Sequence, residues 1–223
     1  MALTNTDVTG AKLVVFDFDG TLADSMPGII RTARHVMHEH GWTDEQLGDM
    51  RRIVGPPFPY AFQLVYGVSA EEAASITEDY RAIYKNLGRD GWPLFDGMRE
   101  LLCDLRSAGK LTAIASSKRQ FLLDRGVDTN EVRDLFDLPR GKQTDNEETK
   151  AQIIDYVLET LGVAPADAVM VGDRRFDAEA AHTAGLECVG TLYGNTCQKD
   201  ELVQAGCCAI ADTVDELRAI LIG

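Results

Sequence analysis

Leu13-Val14-Val15-Phe16-Asp17-Phe18-Asp19-Gly20-Thr21 opens the ordered pattern of the chain. An unbroken apolar run rich in β-branched and aromatic residues describes a strand covered on both faces. It runs directly into two aspartates and a glycine. Residues i and i+2 of a strand share a face, so Asp17 and Asp19 leave it pointing the same way. Two carboxylates crowded together cost free energy unless a cation or a catalytic task uses them. The carboxyl end of a strand is also where an open α/β sheet binds its ligands. The competing reading of the motif alone is a solvated loop with two acids.

Outward from this stretch, short apolar blocks alternate with amphipathic ones. Strands are predicted at 12–16, 111–115, 135–138, 168–171, 187–190 and 208–210. Helices are predicted at 97–108, 119–126, 147–161, 177–184, 199–205 and 214–221, the last opened by a capping-box pattern of Thr213 with Glu216. Such alternation implies right-handed βαβ units and a parallel, Rossmann-like α/β sheet with helices on both faces. The stretch 27–93 breaks the rhythm: it holds helix patterns at 29–40, 58–66 and 70–87, no strand, and Gly/Pro punctuation at Gly55-Pro56-Pro57. An all-helical insertion after the first strand is the economical reading, dividing the chain into a core of 1–26 plus 94–223 and an insertion of 27–93. Asp24 and Ser25 are expected to cap the helix after the first motif, with Pro27 in its first turn. The polar stretch 139–146 reads as a loop.

The whole chain has 223 residues, with 36 Asp+Glu against 22 Lys+Arg and a formal net charge of -14. That acidity argues against a nucleic-acid or anionic-membrane partner, and no apolar run approaches the roughly 20 residues of a membrane span. A soluble, cytoplasmic protein, monomeric or weakly homodimeric, is expected. Five cysteines without CxxC spacing read as free thiols. His35, His38 and His40 read as a solvent-facing helix surface, and Trp42 and Trp92 as packing.

A second acidic element follows another apolar strand: Val171-Gly172-Asp173, then Asp177. If the two strands are neighbours, Asp17, Asp19, Asp173 and Asp177 crowd one site, and hard oxygen ligands in that number suit Mg²⁺. Ser116-Ser117-Lys118 ends the strand at 111–115, where hydroxyl and backbone N–H groups can hold an anion; an N-cap is the alternative. Lys150 stands at the beginning of an amphipathic helix, where a solvated lysine is the alternative.

Asp17-Phe18-Asp19-Gly20-Thr21 resembles the first motif of the haloacid dehalogenase superfamily, Ser116 its second, Lys150 its third, and Gly172-Asp173-Arg174-Arg175-Phe176-Asp177 its fourth. The insertion is placed like that superfamily's C1-type cap. Val54-Gly55-Pro56-Pro57-Phe58 and Leu192-Tyr193-Gly194 are similar to its phosphoglycolate-phosphatase-like branch. The resemblance implies a phosphatase acting on a small phosphorylated metabolite, phosphoglycolate-like or a nucleoside monophosphate, through an aspartyl-phosphate. Asp17 would be the nucleophile and Asp19 the general acid and base. Mg²⁺ would be held by Asp17, the Asp19 carbonyl and Asp173, with Asp177 a ligand or a support. Gly20, Ser116, Ser117 and Lys150 would bind phosphate, Lys142 being the alternative lysine. In the cap, Arg51, Arg52 and Phe58 are candidates for substrate contact. A phosphomutase of the β-phosphoglucomutase type would share the scaffold, although Gly55-Pro56-Pro57 stands where that branch carries Ser-Arg. So would a catalytically silent phospho-ligand binder, which the full set of acids disfavours.

Overall fold

The computed structural model describes residues 6–145 and 148–223. Six parallel strands form one sheet in the order β3-β2-β1-β4-β5-β6. In chain order they are β1 (Leu13–Phe16), β2 (Leu111–Arg119), β3 (Leu138–Lys142), β4 (Ala168–Gly172), β5 (Glu187–Thr191) and β6 (Ala209–Ala211). β1 lies at the centre, paired with β2 on one side and β4 on the other, with Phe16 opposite both Ile114 and Val171. This register brings the two acidic motifs side by side.

Side-chain alternation along the strands builds two cores. Val14, Phe16, Ile114, Val169 and Val171 face one layer; Leu13, Val15, Ala113 and Met170 face the other. The first layer holds α5 (Met98–Ser107), α6 (Gln120–Thr129) and α10 (Val214–Ile222); the second holds α7 (Lys150–Leu161), α8 (Arg175–Thr183) and α9 (Lys199–Gln204). Between β1 and α5 the chain forms α1 (Met26–Glu39), α2 (Asp44–Leu47), α3 (Tyr60–Tyr66) and α4 (Ala70–Tyr84), with 3₁₀ turns at Met50–Ile53 and Gly88–Gly91. These pack through an aromatic row in which Tyr80 lies 4.9 Å from Phe58 and 4.8 Å from Tyr84, and Tyr84 lies 5.0 Å from Trp92, ring centre to ring centre. Trp92, fully buried, donates its indole N–H to the Thr129 hydroxyl at 2.7 Å, and Trp42 packs on Tyr66.

Several local expectations require correction. Residues 135–138 do not form the third strand: Arg133–Leu135 is a 3₁₀ turn, and β3 begins at Leu138. The Asp137 N–H donates to the Thr112 carbonyl at 2.8 Å, but the Thr112 N–H goes to the Asp137 carboxylate at 2.9 Å instead of to a backbone carbonyl, so the regular ladder is not yet formed here. β3 therefore runs through Pro139-Arg140-Gly141-Lys142, much of the stretch read as a loop. As the outermost strand it tolerates proline and polar side chains that a central strand would not. The remainder of that loop reading reaches Asn146, and the helix expected from 147 starts at Glu147; both residues lie outside the described ones. The helix itself runs from Lys150, with Thr149 and Gln152 forming a reciprocal capping box. At α10, Thr213 caps as expected, but the Glu216 carboxylate accepts from the Asp212 N–H at 2.7 Å instead of closing the box. Ser25 makes no capping bond to α1: its backbone is already helical and its hydroxyl is buried without a partner. None of the described helices is long and apolar enough to cross a membrane.

Candidate active site

β1 and β4 end together, and the loops that leave them carry the acids. The Asp17 N–H donates to the Val171 carbonyl at 2.9 Å, extending the ladder one residue beyond the strand. The next residues turn sharply through Gly20, whose φ of +79° is a glycine conformation. A Cβ there would stand 2.3 Å from Asp173 Oδ2, so the loop and the second acid approach more closely than any side chain permits. The loop is held from behind by Tyr193, whose hydroxyl donates to the Thr21 carbonyl at 2.8 Å, and by the backbone of Gly194 against that of Gly20. This explains the Leu192-Tyr193-Gly194 signal in the sequence.

Asp17, Asp173 and Asp177 each present an oxygen to a common space, all within 4.8 Å of one another. All three residues are buried. Lys150 reaches in from the start of α7, its Nζ 2.8 Å from Asp17 Oδ2 and also bonded to Asp177. Asp177 is pinned further by the Arg174 N–H, which donates to its other oxygen at 2.9 Å. Asp173 Oδ1 accepts from the Thr21 hydroxyl at 3.0 Å, whereas its Oδ2 is buried with no hydrogen-bond partner.

Burial pushes the Asp17 carboxyl up to about 6, Lys150 pulling against it and Asp177 adding to the rise. Asp173 has no cation in contact; burial, with Asp177 and Asp17 beside it, pushes it up to about 8. Burial also works against the Lys150 charge, yet Asp17 and Asp177 outweigh it and hold the ammonium's pKa above its ordinary value. With all three carboxyls ionised, as a bound cation would hold them, one ammonium leaves two negative charges unbalanced, and one acceptor oxygen is orphaned. That donor set fits a small divalent cation bound by hard oxygens.

Asp19 is placed apart from the triad. Its carboxylate accepts from Lys118 Nζ at 2.8 and 3.0 Å, and the Lys118 ammonium sits 4.7 Å from the centre of the Tyr84 ring. Asp17, Asp19, Ser116, Ser117 and Lys118 line one cavity of about 80 Å³, roofed by 53–58 and by Tyr80, Arg81 and Tyr84 of α4. Of the two lysines considered for the site, Lys150 touches Asp17, while Lys142 Nζ, at the end of β3, lies 3.4 Å from the Asp145 carbonyl.

Among the inserted residues, Phe58 lines the cavity, but Arg51 and Arg52 do not. Arg51 is exposed and folded onto Asp49, its Nη2 2.7 Å from Oδ2, beside a separate surface groove; Arg52 is exposed as well. The carboxylate two residues away outcompetes a distant cavity for the Arg51 guanidinium. The cations that do face the cavity are Lys118, Arg81 and Arg119, and sequence reasoning passed over the last two. Arg174 was missed too: its guanidinium donates to the Val54 carbonyl and, at 3.0 Å, to Glu201, tying the roof to the sheet. The one available signal was position, since Lys118 and Arg119 follow the Ser116-Ser117 strand end.

The central strand of this parallel sheet thus ends in a carboxylate pair, with a lysine and two further acids beside it. The sequence model of the haloacid dehalogenase-like hydrolases matches residues 14–191. The chain belongs to that family. It is 36% identical to the tyrosine-protein kinase PtkA of Mycobacterium tuberculosis over 215 residues, 94% of this chain and 72% of that one. It is 27% identical to a phosphoglycolate phosphatase of Pseudomonas putida over 219 residues, 95% of this chain and 79% of that one. A Clostridium acetobutylicum crystal structure described as a predicted phosphatase superposes with a TM-score of 0.88 at 30% identity, covering 94% of this chain and 97% of that one. Within the family, the class of enzyme is the phosphatase.

Proposed function

We propose that the protein is a Mg²⁺-dependent phosphomonoesterase whose core, 1–26 and 94–223, carries the chemistry under a helical cap, 27–93. Asp17 attacks phosphorus in line, the ester P–O bond breaks, and the phosphoryl group resides on the Asp17 carboxylate. Asp19 delivers its proton to the departing alkoxide and then takes one from the water that attacks the aspartyl-phosphate, releasing inorganic phosphate. Ser116, Lys150 and the backbone N–H groups near Gly20 and Ser117 neutralise the transferring oxygens. Asp17, Asp173 and the Asp19 carbonyl would hold Mg²⁺, with Asp177 as ligand or support, and the ion would offset the repulsion between Asp17 and an anionic phosphate.

The observation that carries this reading is the convergence of Asp17, Asp19 and Ser116 on one small cavity, with the unpartnered Asp173 oxygen behind it. A phosphoglycolate phosphatase among the relatives supports a small phosphomonoester as substrate. The name of the PtkA relative states a tyrosine kinase for that protein; Mg²⁺-dependent release of inorganic phosphate is the result that assigns water as the acceptor here. Asp17→Asn is expected to abolish Mg²⁺-dependent phosphate release from p-nitrophenyl phosphate without loss of the folded circular-dichroism signal. Full activity in that variant would overturn the mechanism.

A further inference from the structure

The end of β2 is irregular where it reaches the cavity. Ser116 pairs with Gly141, and Arg119 pairs with the next residue of β3, Lys142, so Ser117 and Lys118 have no partners there and bulge from the ladder. A bulge takes a side chain off the strand's alternation and re-aims it. Two contacts hold this one in shape. The Lys118 N–H donates back to the Ser116 hydroxyl at 3.3 Å. Gly141 lies so close to the Lys118 carbonyl that a Cβ there would stand 2.6 Å from the oxygen.

The bulge carries the Lys118 ammonium to Asp19 and into a group of aromatic rings. It lies 4.7 Å from the centre of the Tyr84 ring, 5.6 Å from that of Phe18 and 5.7 Å from that of Trp92. Phe18 belongs to the loop after β1; Tyr84 and Trp92 belong to the insertion. Rings at such distances attract an ammonium electrostatically, and with the side chain only 5% exposed little water competes for it. An ammonium has three N–H donors. Two serve the two oxygens of Asp19, at 2.8 and 3.0 Å, and the third faces the Tyr84 hydroxyl at 3.4 Å. None is left over for a ligand anion. No other side chain among the described residues bonds the Asp19 carboxylate.

We infer that Lys118 is a positioning residue for Asp19, holding its carboxylate in the cavity between giving a proton to the leaving oxygen and taking one from water. The inference rests on the phosphatase reading and adds to it the group that orients the acid. As the ester P–O bond breaks, the Asp19 O–H bond breaks and its proton passes to the leaving oxygen. The carboxylate left behind accepts from the Lys118 N–H groups, and it then takes a proton from the water that attacks phosphorus. Both Asp19 oxygens accept from Lys118 in the structure, as they would between those two transfers.

The test is a double-mutant cycle read on ethyl phosphate and p-nitrophenyl phosphate with Mg²⁺. Lys118→Met replaces the ammonium by an apolar chain of similar length. It is expected to lower kcat for ethyl phosphate about 30-fold, the scale of a hydrogen bond to a charged group, with no rise in KM. With p-nitrophenyl phosphate it should give a burst stoichiometric with the enzyme and then slow turnover, because the first transfer needs no proton there and the second does. Added to Asp19→Ala, Lys118→Met should cost less than about a further twofold, since a residue acting through Asp19 then has nothing to act on. Lys118→Gln, which keeps an N–H donor without the charge, should recover part of the loss, and it carries the same cycle if the methionine variant does not fold. A loss that multiplies with that of Asp19→Ala, or a KM that rises for both substrates, would make Lys118 a substrate contact and overturn the inference. An equal loss on both substrates without a burst would make it a packing element and overturn the inference too. Unchanged turnover in both lysine variants overturns the positioning role while the phosphatase reading stands; release of phosphate from neither substrate by wild type overturns both.

Discussion

Replacing Asp173 by asparagine should make the metal-free protein more stable while destroying its response to Mg²⁺. Asp173 is 1% exposed, shares a space of 4.8 Å with Asp17 and Asp177, and has no cation in contact. With its carboxyl pushed up to about 8, the metal-free folded protein keeps it largely protonated at pH 7. In the unfolded chain it ionises with a pKa near 3.9. Over that interval of about three units, at ~1.4 kcal/mol each, folding forfeits on the order of 4 kcal/mol. Asparagine has nearly the same shape and no proton to retain, and its amide oxygen can still accept from the Thr21 hydroxyl. Allowing for imperfect accommodation of the amide group, a gain of about 3 kcal/mol should raise Tm by about 6–12 °C for a domain of this size. The assay is thermal unfolding followed by circular dichroism in EDTA and again in excess MgCl₂. Wild type should rise by several degrees on adding Mg²⁺, because the ion binds only the folded state; the variant should not. A variant that melts at or below the wild-type temperature in EDTA, or that keeps the Mg²⁺ shift, would refute the assignment of these acids as a cation site.

The same linkage predicts the pH response of the metal-free protein. Asp17 and Asp173 have folded pKa values raised to about 6 and about 8, so the unfolded state releases their protons first as pH rises. Their contribution therefore makes stability fall between about pH 4 and pH 8, which urea unfolding in EDTA at intervals across that range would detect; a contribution that grows with pH would contradict the raised values. Asp19→Ala should cut turnover of alkyl phosphates by 10²-fold or more, on the order of a general acid's contribution. With p-nitrophenyl phosphate, whose leaving group needs no proton, it should give a burst and a trapped phospho-enzyme visible by intact-mass spectrometry. Gly20→Ala combines a φ of +79° with a Cβ 2.3 Å from Asp173 Oδ2; it should destabilise by about 1–3 kcal/mol and abolish the Mg²⁺-induced rise in Tm, both measurable in the same melts.

Much of the fold was legible because central parallel strands are written as continuous apolar runs, and each of the two acidic motifs is local. At β1, Leu13, Val14, Val15 and Phe16 are all fully buried, as an unbroken apolar run requires. β3 escapes such a reading for the converse reason. An edge strand pairs on one side only and tolerates Pro139, Arg140 and Lys142, so its sequence looks like a loop. Lys150 could be singled out only by its place in a motif, and the structure adds its contact with Asp17.

By itself the sequence determined the alternation of strands and helices, the position of the helical insertion, and the two acidic strand ends, since all of these are patterns of neighbouring residues. Tertiary structure alone decided which cations face the cavity. Arg51 and Arg81 both belong to polar, charge-rich helical stretches, yet one folds onto Asp49 at the surface and the other meets Arg119 across Asp145. The difference is which carboxylate lies within reach after packing. For Arg51 it is two residues away in the chain, and for Arg81 it is brought from another part of the fold.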